Sequence, residues 1–189
     1  MSIKLNGYTL TDDTINQMKS VMRKSVKIGT ELGFTLCSDK EDNLHTRNVC
    51  TGEDCVVTIH TKCNKDEKFA GGYHTHPSDD SQASATDLHT CGISQVTCIA
   101  GENDKKIRCY IWKYGPMTID KHNELAVLHI KGVRQIEDLS YKKNFECMKE
   151  FAPLVHKEET MEDGDEISSE VYKAVDKLTQ KYYREKILQ

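Results

Sequence analysis

The sequence predicts an α/β domain of the sandwich type, on three observations: an amphipathic helix near the start, a following run of short β-rich segments, and a second helical stretch before strands resume. From Thr11 to Lys27, Ile15, Met18, Val21, Met22 and Val26 recur at steps of three and four, the period of a helix with one apolar face. Thr11 caps it, Asp12 and Asp13 place negative charge in its first turn, and Gly29 ends it. Residues 32–37, 45–49, 56–61, 69–76, 96–100 and 107–114 are rich in β-branched and aromatic side chains and read as strands of a mixed sheet. Polar turns at 38–43 and 101–105 separate them, and a second helix is expected over 86–93.

Past Tyr114-Gly115-Pro116 the pattern changes. Residues 134–150 read as helix, and 169–188 as another, with Val171, Ala174, Val175, Leu178 and Tyr182 on one stripe. That stripe packs on the domain or on a second copy, which would give a homodimer through the C-terminal helix. The acidic stretch 157–166 reads as a solvated linker. The expected organisation is a catalytic domain over 1–133 and a helical extension with an acidic linker over 134–189.

Composition excludes several classes. With 30% charged residues among 189, there is no run of about eighteen apolar positions for a membrane-spanning helix. Residues 1–7 hold no apolar stretch of secretory-signal length, so a cytoplasmic location is expected. A net charge of −4 supplies no attraction to a phosphate backbone, so nucleic acid is not an expected partner. The eight cysteines are the compositional oddity. A reducing compartment argues against a disulfide scaffold and leaves metal binding or simple burial.

The chemistry concentrates in Gly71-Gly72-Tyr73-His74-Thr75-His76-Pro77, followed by Ser84-Ala85-Thr86-Asp87. His74 and His76 are two apart, so on a strand both imidazoles face one side and can share a cation. Asp87 follows eleven residues after His76, enough chain to turn back and offer a carboxylate as third ligand. Two imidazoles and a carboxylate suit Zn²⁺ and leave its fourth position open, as catalytic zinc sites do. Each piece also has a plain structural reading: alternate histidines on a strand can be mere neighbours, and Ser84-x-x-Asp87 is a capping box. The joint order of the pieces is what speaks for a site.

This segment resembles the JAMM motif of the MPN-domain zinc metalloproteases, in its compact prokaryotic, archaeal-like form. Thr30-Glu31-Leu32-Gly33-Phe34-Thr35-Leu36 fits the family's remaining element, with Phe34 where many members have a second glycine. The resemblance covers roughly residues 8 to 116. It implies an MPN (cytidine-deaminase-like) α/β fold, a mixed β-sheet flanked by helices, here with a C-terminal helical extension. It further implies one catalytic Zn²⁺ held by His74, His76 and Asp87, with Glu31 taking and returning a proton and Ser84 stabilising the oxyanion. The implied activity is hydrolysis of peptide or isopeptide bonds at the C-terminus of ubiquitin, a ubiquitin-like protein or a sulfur carrier. The short interval between Glu31 and His74 leaves little room for substrate-gripping insertions, which points to a stand-alone enzyme.

Two other readings compete: a non-catalytic MPN scaffold, which intact ligands argue against, and a RadC-like DNA-associated protein, which the net charge argues against. Glu41 and Glu53 are rival bases in polar turns without a strand to fix them. Cys50, Cys55 and Cys63, with His45 or His60, could clip a second metal, although their spacing differs from that of zinc knuckles. Cys91 lies four residues after Asp87, where it could approach the metal or fill the core.

Overall fold

The computed structural model describes residues 2–50, 62–161 and 168–188. The elements in chain order are β1 (Ile3–Leu5), β2 (Tyr8–Leu10), α1 (Asp12–Ile28), β3 (Gly33–Ser38), β4 (Asn43–Arg47), β5 (Lys68–His76), α2 (Ala85–Leu88), β6 (Val96–Gly101), β7 (Ile107–Trp112), α3 (Ile119–Ile130), α4 (Lys142–Glu159), α5 (Ser169–Tyr182) and β8 (Tyr183–Leu188). The chain divides into two compact units, one of Met1–Gln82, Gln95–Ile111 and Glu185–Gln189, the other of Ala83–Ser94 and Trp112–Arg184.

In the first unit α1 forms where the sequence expects it. Thr11 Oγ1 accepts from Thr14 N–H, and Gly29 ends the helix at a left-handed φ of 69°, returning its N–H to Ser25 O. The helix buries Ile15, Met18 and Val21 in a core with Leu32, Phe34, Leu36, Leu44, Tyr73 and Val96. Each such side chain contributes about 1.5–3 kcal/mol on burial. The Tyr73 hydroxyl, deep in that core, donates to Met18 O at 2.6 Å, and burial pushes its phenol far up, so it stays a donor at every ordinary pH.

The eight strands form one mixed sheet in the order β1-β2-β4-β3-β5-β6-β7-β8. Strand β5 is central. It pairs antiparallel with β3, from Gly33 opposite His74 to Ser38 opposite Lys68, and parallel with β6, from Gly71 opposite Val96 to His76 opposite Gly101. The α/β class stands, but the MPN fold expected from the motif does not: the sheet has eight strands and is nearly barrel-shaped. A motif of about fourteen residues reports a strand, a loop and a turn, and carries no information on how many strands continue the sheet. Strands β1 and β2, only three residues each, are too short for a periodicity argument.

Other expectations change at their edges. The helix expected over 86–93 is the single turn α2. The segment expected as strand at 56–61 lies outside the described residues. Helix α4 runs over Lys142–Glu159 rather than 134–150, so the supposed linker begins inside a helix. The helix α3 was not expected because Leu125 is its only buried position, which leaves no apolar stripe to read. The final segment is not one helix to 188. Lys113 donates from its backbone to Tyr182 O and from its ammonium to Gln180 O, satisfying the last carbonyls of α5, and the chain continues as β8 beside β7. Arg184, Glu185 and Lys186 suit a helix by propensity, and pairing at the sheet edge overrides it.

The cysteines also correct the sequence reading, which disfavoured disulfides. Cys37–Cys63, Cys91–Cys147 and Cys98–Cys109 are bonded pairs. The Cys98–Cys109 pair follows from register, since the two residues stand directly opposite on β6 and β7. Spacing along the chain contains none of these pairings. Among the described residues no helix is long and apolar enough to cross a membrane.

Candidate metal centre

His74 and His76 end β5; His74 is paired with Gly33 of β3 and Ile99 of β6, and His76 with Gly101 of β6. Their Nε2 atoms stand 3.2 Å apart. Two imidazole nitrogens on a tetrahedral ion with bonds of about 2.0–2.1 Å would be roughly 3.3–3.4 Å apart, so the two rings, hydrogen-bonded to each other here, stand close enough to share one cation. The tautomer of His76 follows from its partner. Its Nδ1 is 2.8 Å from Asp80 O, a carbonyl that only accepts, so Nδ1 carries the proton and Nε2 presents its lone pair.

The loop after Pro77 that supplies Asp80 O is built to hold still. Asp104 Oδ2 accepts from both Ser81 N (3.1 Å) and Ser81 Oγ (2.6 Å), Asn103 Nδ2 donates to Ser78 O, and Tyr110 OH donates to Ser81 O. Burial would raise the Asp104 carboxyl, but the two Ser81 donors, Lys106 N–H and Arg108 together hold it below the usual carboxylate range. Gly101 lies under this loop, where a Cβ would come within 2.2 Å of Ser81 N. Only glycine fits there.

Thr75, between the two histidines, points to the opposite face of the strand and is fully buried. Its hydroxyl accepts from Leu32 N at 2.9 Å and shares a hydrogen bond with Ser25 Oγ, while Thr75 N donates to Leu32 O. Ser25 Oγ in turn donates to Thr30 O. Residues 30 and 32, which flank Glu31, are thereby fixed. The Thr75 N–Leu32 O bond carries the pairing of Gly33 with His74 one residue further, to the neighbour of Glu31. Glu31 itself is exposed. At Gly33 a Cβ would lie 2.5 Å from Tyr73 O, so the glycine before Phe34 is what lets β3 approach β5 beside His74.

Ser84 and Asp87 form the capping box that their spacing allows. Ser84 Oγ accepts from Asp87 N at 3.2 Å, and Asp87 Oδ2 accepts from Ser84 N at 2.8 Å. This fixes the rotamers of both side chains. Since a hydroxyl that accepts retains its own proton, Ser84 can still donate to a substrate oxygen.

Among the described residues two groups of side chains could hold a metal ion: Cys37, Cys63 and Glu67, and His74, His76 and Asp87. The donor chemistry separates them. In the first, the sulfurs are bonded to each other and Glu67 takes the Arg47 guanidinium and Asn64 N–H, so its lone pairs are committed. The second has a histidine with its tautomer set for ligation. The Cys50, Cys55 and Cys63 site is not supported: Cys63 is bonded to Cys37, Cys55, His60 and the rival base Glu53 lie outside the described residues, and His45 pairs with Asp39. The other rival base, Glu41, is exposed in its turn. Cys91 is bonded to Cys147 and buried, not a metal ligand.

Sequence reasoning named the two histidines, Glu31, Ser84 and Asp87, and missed Ser25 and Thr75, which fix the residues flanking Glu31, and Ser81 and Asp104, which fix the loop after His76. Thr75 was legible in principle, since period two sends it inward between two outward histidines. Asp104 was not, because it reaches Ser81 from 23 residues away. No protein-family model matches the chain, and no curated protein sequence matches it either.

Proposed function

We propose that the protein is a zinc-dependent hydrolase of amide bonds, with His74, His76 and Asp87 as ligands. The carrying observation is the 3.2 Å approach of two imidazole Nε2 atoms, one with its tautomer fixed by a main-chain carbonyl. A Zn²⁺ bound there would lower the pKa of its water to about 7 and polarise a carbonyl. Glu31, on the segment that leads into β3, takes the proton of the attacking water and delivers it to the leaving amine. Ser84 donates to the oxygen that gains negative charge, from a rotamer already fixed by Asp87 N–H.

The motif's resemblance to JAMM metalloproteases supports the substrate class, an extended C-terminal tail of ubiquitin, a ubiquitin-like protein or a sulfur carrier. Such a tail lies down as an added strand. The three bonded cysteine pairs are what an oxidising compartment favours, against the cytoplasmic setting expected from sequence; alkylation and mass spectrometry of protein from its own cell decides between them.

The test is a panel of ubiquitin and ubiquitin-like fusions and conjugates incubated with Zn²⁺-loaded protein, with a chelator as control. Cleavage that the chelator abolishes and added Zn²⁺ restores is the expected result. A metal-loaded protein that binds such conjugates without cleaving any would instead make it a scaffold.

A further inference from the structure

The α2 turn is only four residues long, too short to hold itself in place, yet it carries Asp87 and is capped by Ser84. What holds it comes from the C-terminal part of the same unit. Glu158, at the end of α4, aims its carboxylate at the first turn: Ala85 N donates to Oε1 at 2.7 Å, and Thr86 N and Thr86 Oγ1 each donate to Oε2 at 2.9 Å. At the other end Tyr183 OH donates to Leu88 O at 2.7 Å, and Asn144 Nδ2 donates to Cys91 O at 2.7 Å. The Cys91–Cys147 bond ties the outgoing chain to α4.

The division of labour is specific. Ser84 Oγ satisfies the N–H of Asp87, and the orphan N–H groups of residues 85 and 86 go to Glu158. We infer that Glu158 is a positioning residue for the metal centre: its carboxylate fixes the first turn of α2 and, through it, the Asp87 carboxylate and the Ser84 hydroxyl. The stretch 157–166 that reads as a mere acidic linker therefore contributes a side chain to the support of the site. This inference rests on the zinc reading for its catalytic consequence, while its structural half stands on the α2 contacts alone.

The experiment compares the full-length chain with Glu158→Ala and Glu158→Gln. Co²⁺ is titrated in place of Zn²⁺ and followed by visible absorption, hydrolysis of a ubiquitin-like fusion gives kcat and KM, and amide exchange is read at Ala85 and Thr86. Loss of a residue that orients a ligand typically costs 10–100-fold. Glu158→Ala should weaken Co²⁺ binding by about tenfold, shift the absorption bands and lower kcat by about tenfold at unchanged KM. Exchange at Ala85 and Thr86 should accelerate while the core strands keep their protection. Glu158→Gln, which retains one acceptor oxygen, should recover part of each effect. Wild-type-like exchange at 85 and 86 in Glu158→Ala would overturn the inference whatever the metal does. Faster exchange with unchanged Co²⁺ spectrum and kcat would overturn its catalytic half. A wild-type chain that binds no Co²⁺ would sink the zinc reading instead, with the exchange result still deciding the role of Glu158 on α2.

Discussion

The two stretches that carry the proposed ligands are held by different means. His74 and His76 sit on β5, which is hydrogen-bonded to a neighbour along both edges. Ser84 and Asp87 sit on a single turn whose backbone groups are met by side chains from Glu158 and Tyr183. A ladder holds many residues with main-chain bonds that any sequence can make, so it tolerates substitution. A turn held by side chains depends on each one, and the loss of a single partner releases it.

Breaking the rigid half should have the largest effect. His76→Ala removes a proposed ligand on a strand that cannot rearrange to replace it, so the proposed hydrolysis should fall by more than the about 10–100-fold of a supporting residue. Steady-state assay at saturating Zn²⁺ checks this, and the circular dichroism spectrum should not change. Glu31→Gln separates chemistry from binding: metal content should be retained while kcat falls by about 10²–10⁴-fold. Retained activity would assign the proton transfer to another group.

Asp104 sharpens the comparison, because it is a side-chain support within the strand-based half. Asp104→Asn weakens two bonds to Ser81 and should cost about 1–3 kcal/mol by urea denaturation, with weaker metal binding through a loosened Asp80 carbonyl. Its folded pKa is depressed, so the contribution is complete above the ordinary carboxylate range and lost as pH falls through the folded value. The difference between wild type and Asp104→Asn should therefore shrink toward strongly acidic pH. Tyr73→Phe should have the smallest consequence. It removes one donor to Met18 O, whose helical bond within α1 remains, costing about 0.5–1.5 kcal/mol of stability without altering metal content.

The same contrast explains what the sequence disclosed. The helix α1, the strand β5 and the alternation of His74 and His76 are written in periods of 3.6 and 2, which local side chains state directly. The capping box of Ser84 and Asp87 is likewise local, three residues apart. Nothing local announces Glu158 at Ala85 or Asp104 at Ser81, since those contacts span 73 and 23 residues. Strand β8 was hidden because Tyr183–Leu188 is exposed at its four central positions and so lacks alternation. The motif foretold neighbours within one strand and one turn, and the wider sheet, with eight strands rather than the MPN arrangement, had to come from long-range pairing.

The central claim is that the paired imidazoles exist to hold a metal ion. Metal analysis of the protein after saturation with Zn²⁺ and exhaustive dialysis tests it most directly, alongside a His74→Ala, His76→Ala double variant. The expected result is about one Zn per chain in the wild type, by the single open site that three protein ligands define, and none in the variant. A folded wild-type protein that retains no zinc, or a double variant that retains as much, would contradict it.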